Sequence, residues 1–158
     1  MNFIIVLGIF ALVISDQLTK IWAVSHLEAG GDIAIWENVF HLQYISNYGA
    51  AWGIFSGKQF LLIGFTAIII VGMMIYMFKM PKENQSHWMK VAFMLIMSGA
   101  IGNLIDRIHL GYVRDFLYFK LIDFPIFNVA DILVVTGVGL LLLLILISDS
   151  ENKKEVEK

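Results

Sequence analysis

Eight charged or amide side chains punctuate the apolar stretches of this 158-residue chain: Asp16, Lys20, Asn103, Asp106, Arg107, Asp115, Asn128 and Asp131. Two carboxyls brought together in a poorly solvated cleft cannot both ionise easily, because desolvation and mutual repulsion raise the pKa of one of them. Such a pair shares a proton. The ionised acid can take a proton from water while the protonated acid polarises a carbonyl, which is the chemistry of peptide hydrolysis by paired aspartates. Asp16, Asp106, Asp115 and Asp131 are the candidate acids, and the residues alone do not choose two of them.

Each of these side chains also has a plainer reading. Lys20 follows Asp16 by one helical turn in the favourable acid-before-base order, so the two can form a helix-stabilising ion pair. Asn103 and Arg107 are one turn apart on one helix face, with Asp106 one residue off it. Arg107 stays charged and offers five donors in a fixed fork, suited to carboxylates or a peptide carbonyl, or it snorkels at a helix end. Asn128 can cap a helix whose first turn holds Asp131, and Asp115 can pair with Arg114 in an aromatic loop. Against these readings stands the cost of a carboxylate inside a membrane span, roughly 2.5–3.5 kcal/mol on insertion scales.

The elements that must position these groups are membrane spans. Hydrophobic residues make up 59% of the chain, and four stretches approach the ~20 apolar residues needed to cross a bilayer, at about 2–24, 59–79, 88–106 and 127–147. With four crossings, the end of the first span, the end of the third and the start of the fourth share one membrane face. A polar pocket at that surface follows from counting. The expected fold is an all-α, four-transmembrane-helix bundle forming a single domain over 1–158. The first span lacks a basic n-region and is read as retained rather than as a signal peptide.

Residues 25–58 form the largest segment between spans. They open on Gly30-Gly31 and are rich in strand formers from Ile33 to Ile45, with Glu37-Asn38 as a turn. This predicts a small β-rich segment on the extracytoplasmic membrane surface, with Trp36, Phe40, Tyr44, Tyr48, Trp52 and Phe55 in the headgroup layer. Pro81 ends the second span. Ser98, Gly99 and Gly102 in the third let helices approach closely. The charged tail 148–158 is expected to be solvated and disordered. Setting aside Lys20 and Arg107 as pocket residues, the remaining basic residues favour both termini in the cytoplasm and the pocket at the outer face.

Composition also excludes. Cysteine is absent, which removes disulfides and thiol chemistry. A net charge of −2 without a basic cluster argues against a nucleic-acid partner. The four histidines, His26, His41, His87 and His109, show no metal-binding spacing, so neither metal nor cofactor is expected. Two other function classes are open: a small proton-coupled transporter titrating Asp16, and a serine hydrolase built from Ser98 and His109 or from Ser15 and Lys20. The first lacks a polar path through the other spans, and the second lacks a G-x-S-x-G elbow.

Five motifs in order, Asp16-Gln17-Leu18-Thr19-Lys20, Asn47 through Gly53, Gly102 through Arg107, Val113 through Phe116 and Phe127 through Asp131, resemble the bacterial lipoprotein signal peptidases, or signal peptidase II. The resemblance spans almost the whole chain. It implies an intramembrane aspartyl protease of the bacterial cell membrane, acting as a monomer without a cofactor, that cleaves a prolipoprotein just before its diacylglyceryl-modified cysteine. It implies further that Asp115 and Asp131 are the catalytic pair, and that Asp16, Lys20, Asn47, Gly53, Asn103, Arg107 and Asn128 form the pocket. Segment 39–55 would then close over the site as a lid that excludes water. Arg114 and Ile132 depart from the family pattern, and a cation beside Asp115 would favour its ionised form.

Overall fold

The computed structural model describes residues 3–50, 54–79 and 87–156, with side chains through Ser148. Four helices cross the length of a bilayer: α1 (Phe3–Leu27), α2 (Gln59–Lys79), α3 (His87–Leu110) and α4 (Val129–Val156). Each is apolar nearly all round. Large side chains such as Phe60, Ile68, Phe78 and Leu146 face outward, while Asp16, Lys20, Ser98, Asp106 and Asn128 are fully buried. This inverts a soluble protein, as expected where lipid solvates the apolar surface and only close packing and polar contacts hold helices together.

Helix α3 is the hub, packed against α1, α2 and α4. Small residues set the spacing. A Cβ at Gly99 would collide with the Ala130 carbonyl oxygen of α4, and one at Gly102 would lie 2.6 Å from Asp16 Oδ2 of α1. The approach expected from Ser98, Gly99 and Gly102 is therefore real, and Gly102 also makes room for a carboxylate. By contrast, Gly64 and Gly72 on α2 face open space.

Between helices lies one antiparallel sheet, ordered β1 (Asp32–Trp36), β2 (Phe40–Asn47), β3 (Val113–Tyr118). The β1–β2 turn falls at Glu37-Asn38, where Asn38 adopts φ 59°, a left-handed conformation that asparagine tolerates better than most residues. Three expectations need correction. Asp115 lies in strand β3, paired opposite Ile45, and not in a loop. The portion of the expected lid from Phe40 to Asn47 is the central strand of the sheet, bonded on both edges, rather than a free flap. The backbone of α4 stays helical to Val156, through the segment expected to be disordered. Trp52, Gly53 and Pro81 lie outside the described residues.

Candidate active site

Strand β3 runs beside the end of α3, and its period of two sends neighbouring side chains to opposite faces. On one face, Arg114 grips Asp106: its backbone N–H and Nε donate to Oδ2 at 3.0 and 3.1 Å, and Nη2 donates to Oδ1 at 2.7 Å. Nη2 also donates to Gln17 Oε1 at 2.8 Å. Arg114 is therefore not the partner of Asp115, and neither is Asp106 an exposed helix-end acid. Lys20 completes this cluster, 2.9 Å from Asp16 Oδ2 and 3.5 Å from Asp106 Oδ2, so the Asp16–Lys20 ion pair exists but is fully buried. Asp16 Oδ1 accepts the Ala130 backbone N–H at 2.9 Å, tying α1 to the start of α4.

The other face of β3 points Asp115 toward the first turn of α4. Asn128 caps that helix, and its Oδ1 accepts the Asp131 N–H at 3.0 Å, while its own N–H donates to Asp131 Oδ2 at 3.0 Å. This reciprocal cap frees the Asn128 amide nitrogen, which donates to Asp115 Oδ1 at 2.5 Å and to Asn103 Oδ1 at 3.0 Å. Asn47 Nδ2 donates to Asp115 Oδ2 at 2.8 Å, and Asn103 Nδ2 to Asp131 Oδ1 at 2.8 Å. Both acids are thus held by the same asparagine, and capping and site-building are one act.

Asp115 and Asp131 line a cavity of about 1130 Å³ together with Asn47, Asn103 and Arg107. Its remaining wall is mostly apolar, with α2 and α4 contributing Leu62, Phe65, Ile69, Val135 and Val138. Burial, and then the neighbouring Asp131 carboxylate, push the Asp115 carboxyl up to about 7, against the opposing bonds from Asn47 and Asn128. Arg107 donates to the Gly49 carbonyl at 3.1 Å, and its buried Nε has no partner among the described residues. Among the described residues no three His, Asp or Glu side chains converge as metal ligands would.

Asp16 and Lys20 stand behind this cavity rather than in its wall, although the sequence grouped them with the pocket. Both Asp16 oxygens are engaged, Oδ2 by Lys20 and Oδ1 by the Ala130 N–H. Neither serine alternative is assembled: Ser98 is buried and donates to the Met94 carbonyl at 2.6 Å while His109 is exposed, and Ser15 is exposed while Lys20 is fully buried. Gln17 went unnoticed as a site residue. It donates to Asp106 Oδ1 and to the Gly102 carbonyl, both at 3.1 Å, and a lone amide beside an intramembrane acid was the available signal.

Residues 8–147 match the family described as signal peptidase (SPase) II. The chain belongs to the signal peptidase II family. It is 46% identical over 156 residues to a lipoprotein signal peptidase of Clostridium tetani (strain Massachusetts / E88), covering 97% of this chain and 96% of that protein. A lipoprotein signal peptidase of Lactococcus lactis subsp. lactis (strain IL1403) is 43% identical, covering 95% of each. A solved structure titled "Bacterial membrane enzyme structure by the in meso method at 2.3 A resolution" superposes with TM-score 0.82 at 35% identity, covering 96% of this chain and 92% of that one. As a signal peptidase II, the protein is a multi-pass membrane endopeptidase of the aspartic type.

Proposed function

We propose that this signal peptidase II hydrolyses the peptide bond just before the diacylglyceryl-modified cysteine of a prolipoprotein, with Asp115 and Asp131 as the acid pair. The observation that carries the reading is the shared grip of Asn128 on both acids at the wall of one cavity. With one proton between them, the ionised member takes a proton from water, and the resulting hydroxide adds to the scissile carbonyl carbon. The protonated member donates to the carbonyl oxygen as negative charge develops there. Collapse of the tetrahedral intermediate breaks the C–N bond, and the amine of the cysteine leaves with the proton taken from water. One proton remains on the pair.

The supporting residues divide by position. Asn47, Asn103 and Asn128 hold the acids, and Arg107 offers its free Nε to a substrate carbonyl. Asp16 and Lys20 brace the site from behind, and Gly53 belongs to it on its motif alone. The apolar wall between α2 and α4 takes the lipid chains and the apolar signal peptide, entering laterally from the bilayer. Both termini are placed in the cytoplasm, with the cavity toward the outer face.

Purified protein in liposomes tests this. Mass spectrometry of a diacylglyceryl-modified precursor should find a product beginning at the lipidated cysteine, with at least tenfold slower cleavage of the unlipidated precursor. Equal cleavage of the two, or a cut elsewhere, refutes it.

A further inference from the structure

Three asparagines feed the acid pair, and an amide can present either its oxygen or its nitrogen. Which end faces an acid is decided by what holds the other end. Asn47 is pinned because its Oδ1 accepts the Gly49 backbone N–H at 2.9 Å. Asn128 is pinned because its Oδ1 accepts the Asp131 backbone N–H. Both pins are main-chain groups that can only donate. Asn103 has no such pin. Its Oδ1 is held by Asn128 Nδ2 at 3.0 Å and by the Lys20 ammonium at 2.9 Å, and the ammonium is the one fully charged donor on it.

As a result every carboxylate oxygen of the pair accepts an N–H: Asp115 from Asn128 and Asn47, Asp131 from Asn103 and from the Asn128 backbone. The shared proton is left to the lone pairs that face the cavity, where water and substrate meet it. Reversing Asn103 would set its oxygen against Asp131 Oδ1, an arrangement relieved only by a proton placed on that oxygen, away from the substrate.

We infer that Lys20 is a positioning residue, whose ammonium fixes the Asn103 amide so that the proton shared by Asp115 and Asp131 stays on the cavity side. This rests on the paired-acid reading above. Lys20 is fully buried on α1 and outside the cavity wall, so it acts through Asn103 and not on substrate. The charged and titratable groups around it are Asp16 on α1, Asp106 and Arg107 on α3, Arg114 and Asp115 on β3, Asp131 on α4, and Tyr44 on β2 near Arg114.

Removing Lys20 alone strands Asp16, so the test uses two double variants of equal charge, D16N/K20M and D16N/K20Q. Glutamine can still donate to Asn103 and methionine cannot. In D16N/K20M, kcat for a lipidated precursor should fall at least tenfold with KM unchanged, and the bell-shaped rate profile should move up by about one pH unit, since the reversed amide favours the protonated pair. D16N/K20Q should keep the profile of the unsubstituted enzyme. Equal shifts in both variants would assign the effect to charge alone, and shifts in neither would make Lys20 merely structural; either overturns the inference.

Solid-state NMR of the unsubstituted protein in bilayers reads the same point even if the variants do not fold. Asn103 Nδ2 should correlate with the Asp131 carboxyl carbon, and the Asn103 amide carbon with Lys20 Nζ through its oxygen-bound face. The reversed orientation overturns the inference. Failure of the paired-acid reading would instead appear as turnover surviving Asp131→Asn, a result separate from the correlations read in the unsubstituted protein.

Discussion

Asp115 shows how position changes the proton affinity of an ordinary side chain. Its carboxyl, pushed up to about 7 by burial and by Asp131, carries a stability consequence with a definite sign. Between the ordinary value of 3.8 and about 7, the folded protein holds a proton that the unfolded chain releases. Stability therefore falls as pH rises through that window. In detergent, the thermal midpoint of the parent should drop between pH 4.5 and pH 8 more steeply than that of Asp115→Asn, which has no proton to lose. Parallel profiles would show that Asp115 titrates normally. Arg114 makes the complementary point. Beside Asp115 in sequence, it promised to lower that acid's pKa, yet strand geometry turns it to Asp106 and Gln17 instead. Arg114 thus places its charge in the buried cluster, leaving the acid pair to its asparagines.

Elements deliver these residues through close contact. Helices α3 and α4 meet where Gly99 lies against the Ala130 backbone, one residue before Asp131. Gly99→Val should therefore cost about 1–3 kcal/mol by overpacking, lowering the thermal midpoint and the turnover together. Gly72→Ala, on an open face of α2, should leave both unchanged. Equal tolerance at the two sites would deny the helix contact its role. What the sequence revealed at this scale follows the same physics. The four spans were legible because lipid demands long apolar runs, and the β1–β2 turn because asparagine accepts a left-handed backbone. Strand β3 was hidden because Val113–Tyr118 is short and pairs with β2, more than sixty residues earlier. The split between Asp106 and Asp115 was hidden for the same reason, since only β3 sends their partners to opposite sides. The acids themselves stood out, but spacing alone could not choose the pair.

At the scale of the whole molecule, the sheet, the cavity and the acid pair gather at one end of the bundle, with the cavity continuing into an apolar wall between α2 and α4. Under the function proposed above, such a plan lets a lipid-anchored chain reach the acids without leaving the bilayer. It also requires a fixed orientation, and the absence of native cysteine makes that easy to probe. In intact cells, Glu37→Cys on the β1–β2 turn should react with a membrane-impermeant maleimide, and Lys79→Cys at the end of α2 should react only after lysis. The opposite pattern would turn the site to the cytoplasm.

The most direct measurement is turnover of a diacylglyceryl-modified precursor in liposomes by Asp115→Asn and by Asp131→Asn, each first shown to keep the parent's helical content. Both should fall at least a thousandfold, about 4 kcal/mol of lost transition-state stabilisation, because neither acid alone can both deprotonate water and polarise the carbonyl. Parental turnover in either variant would contradict the paired-acid account.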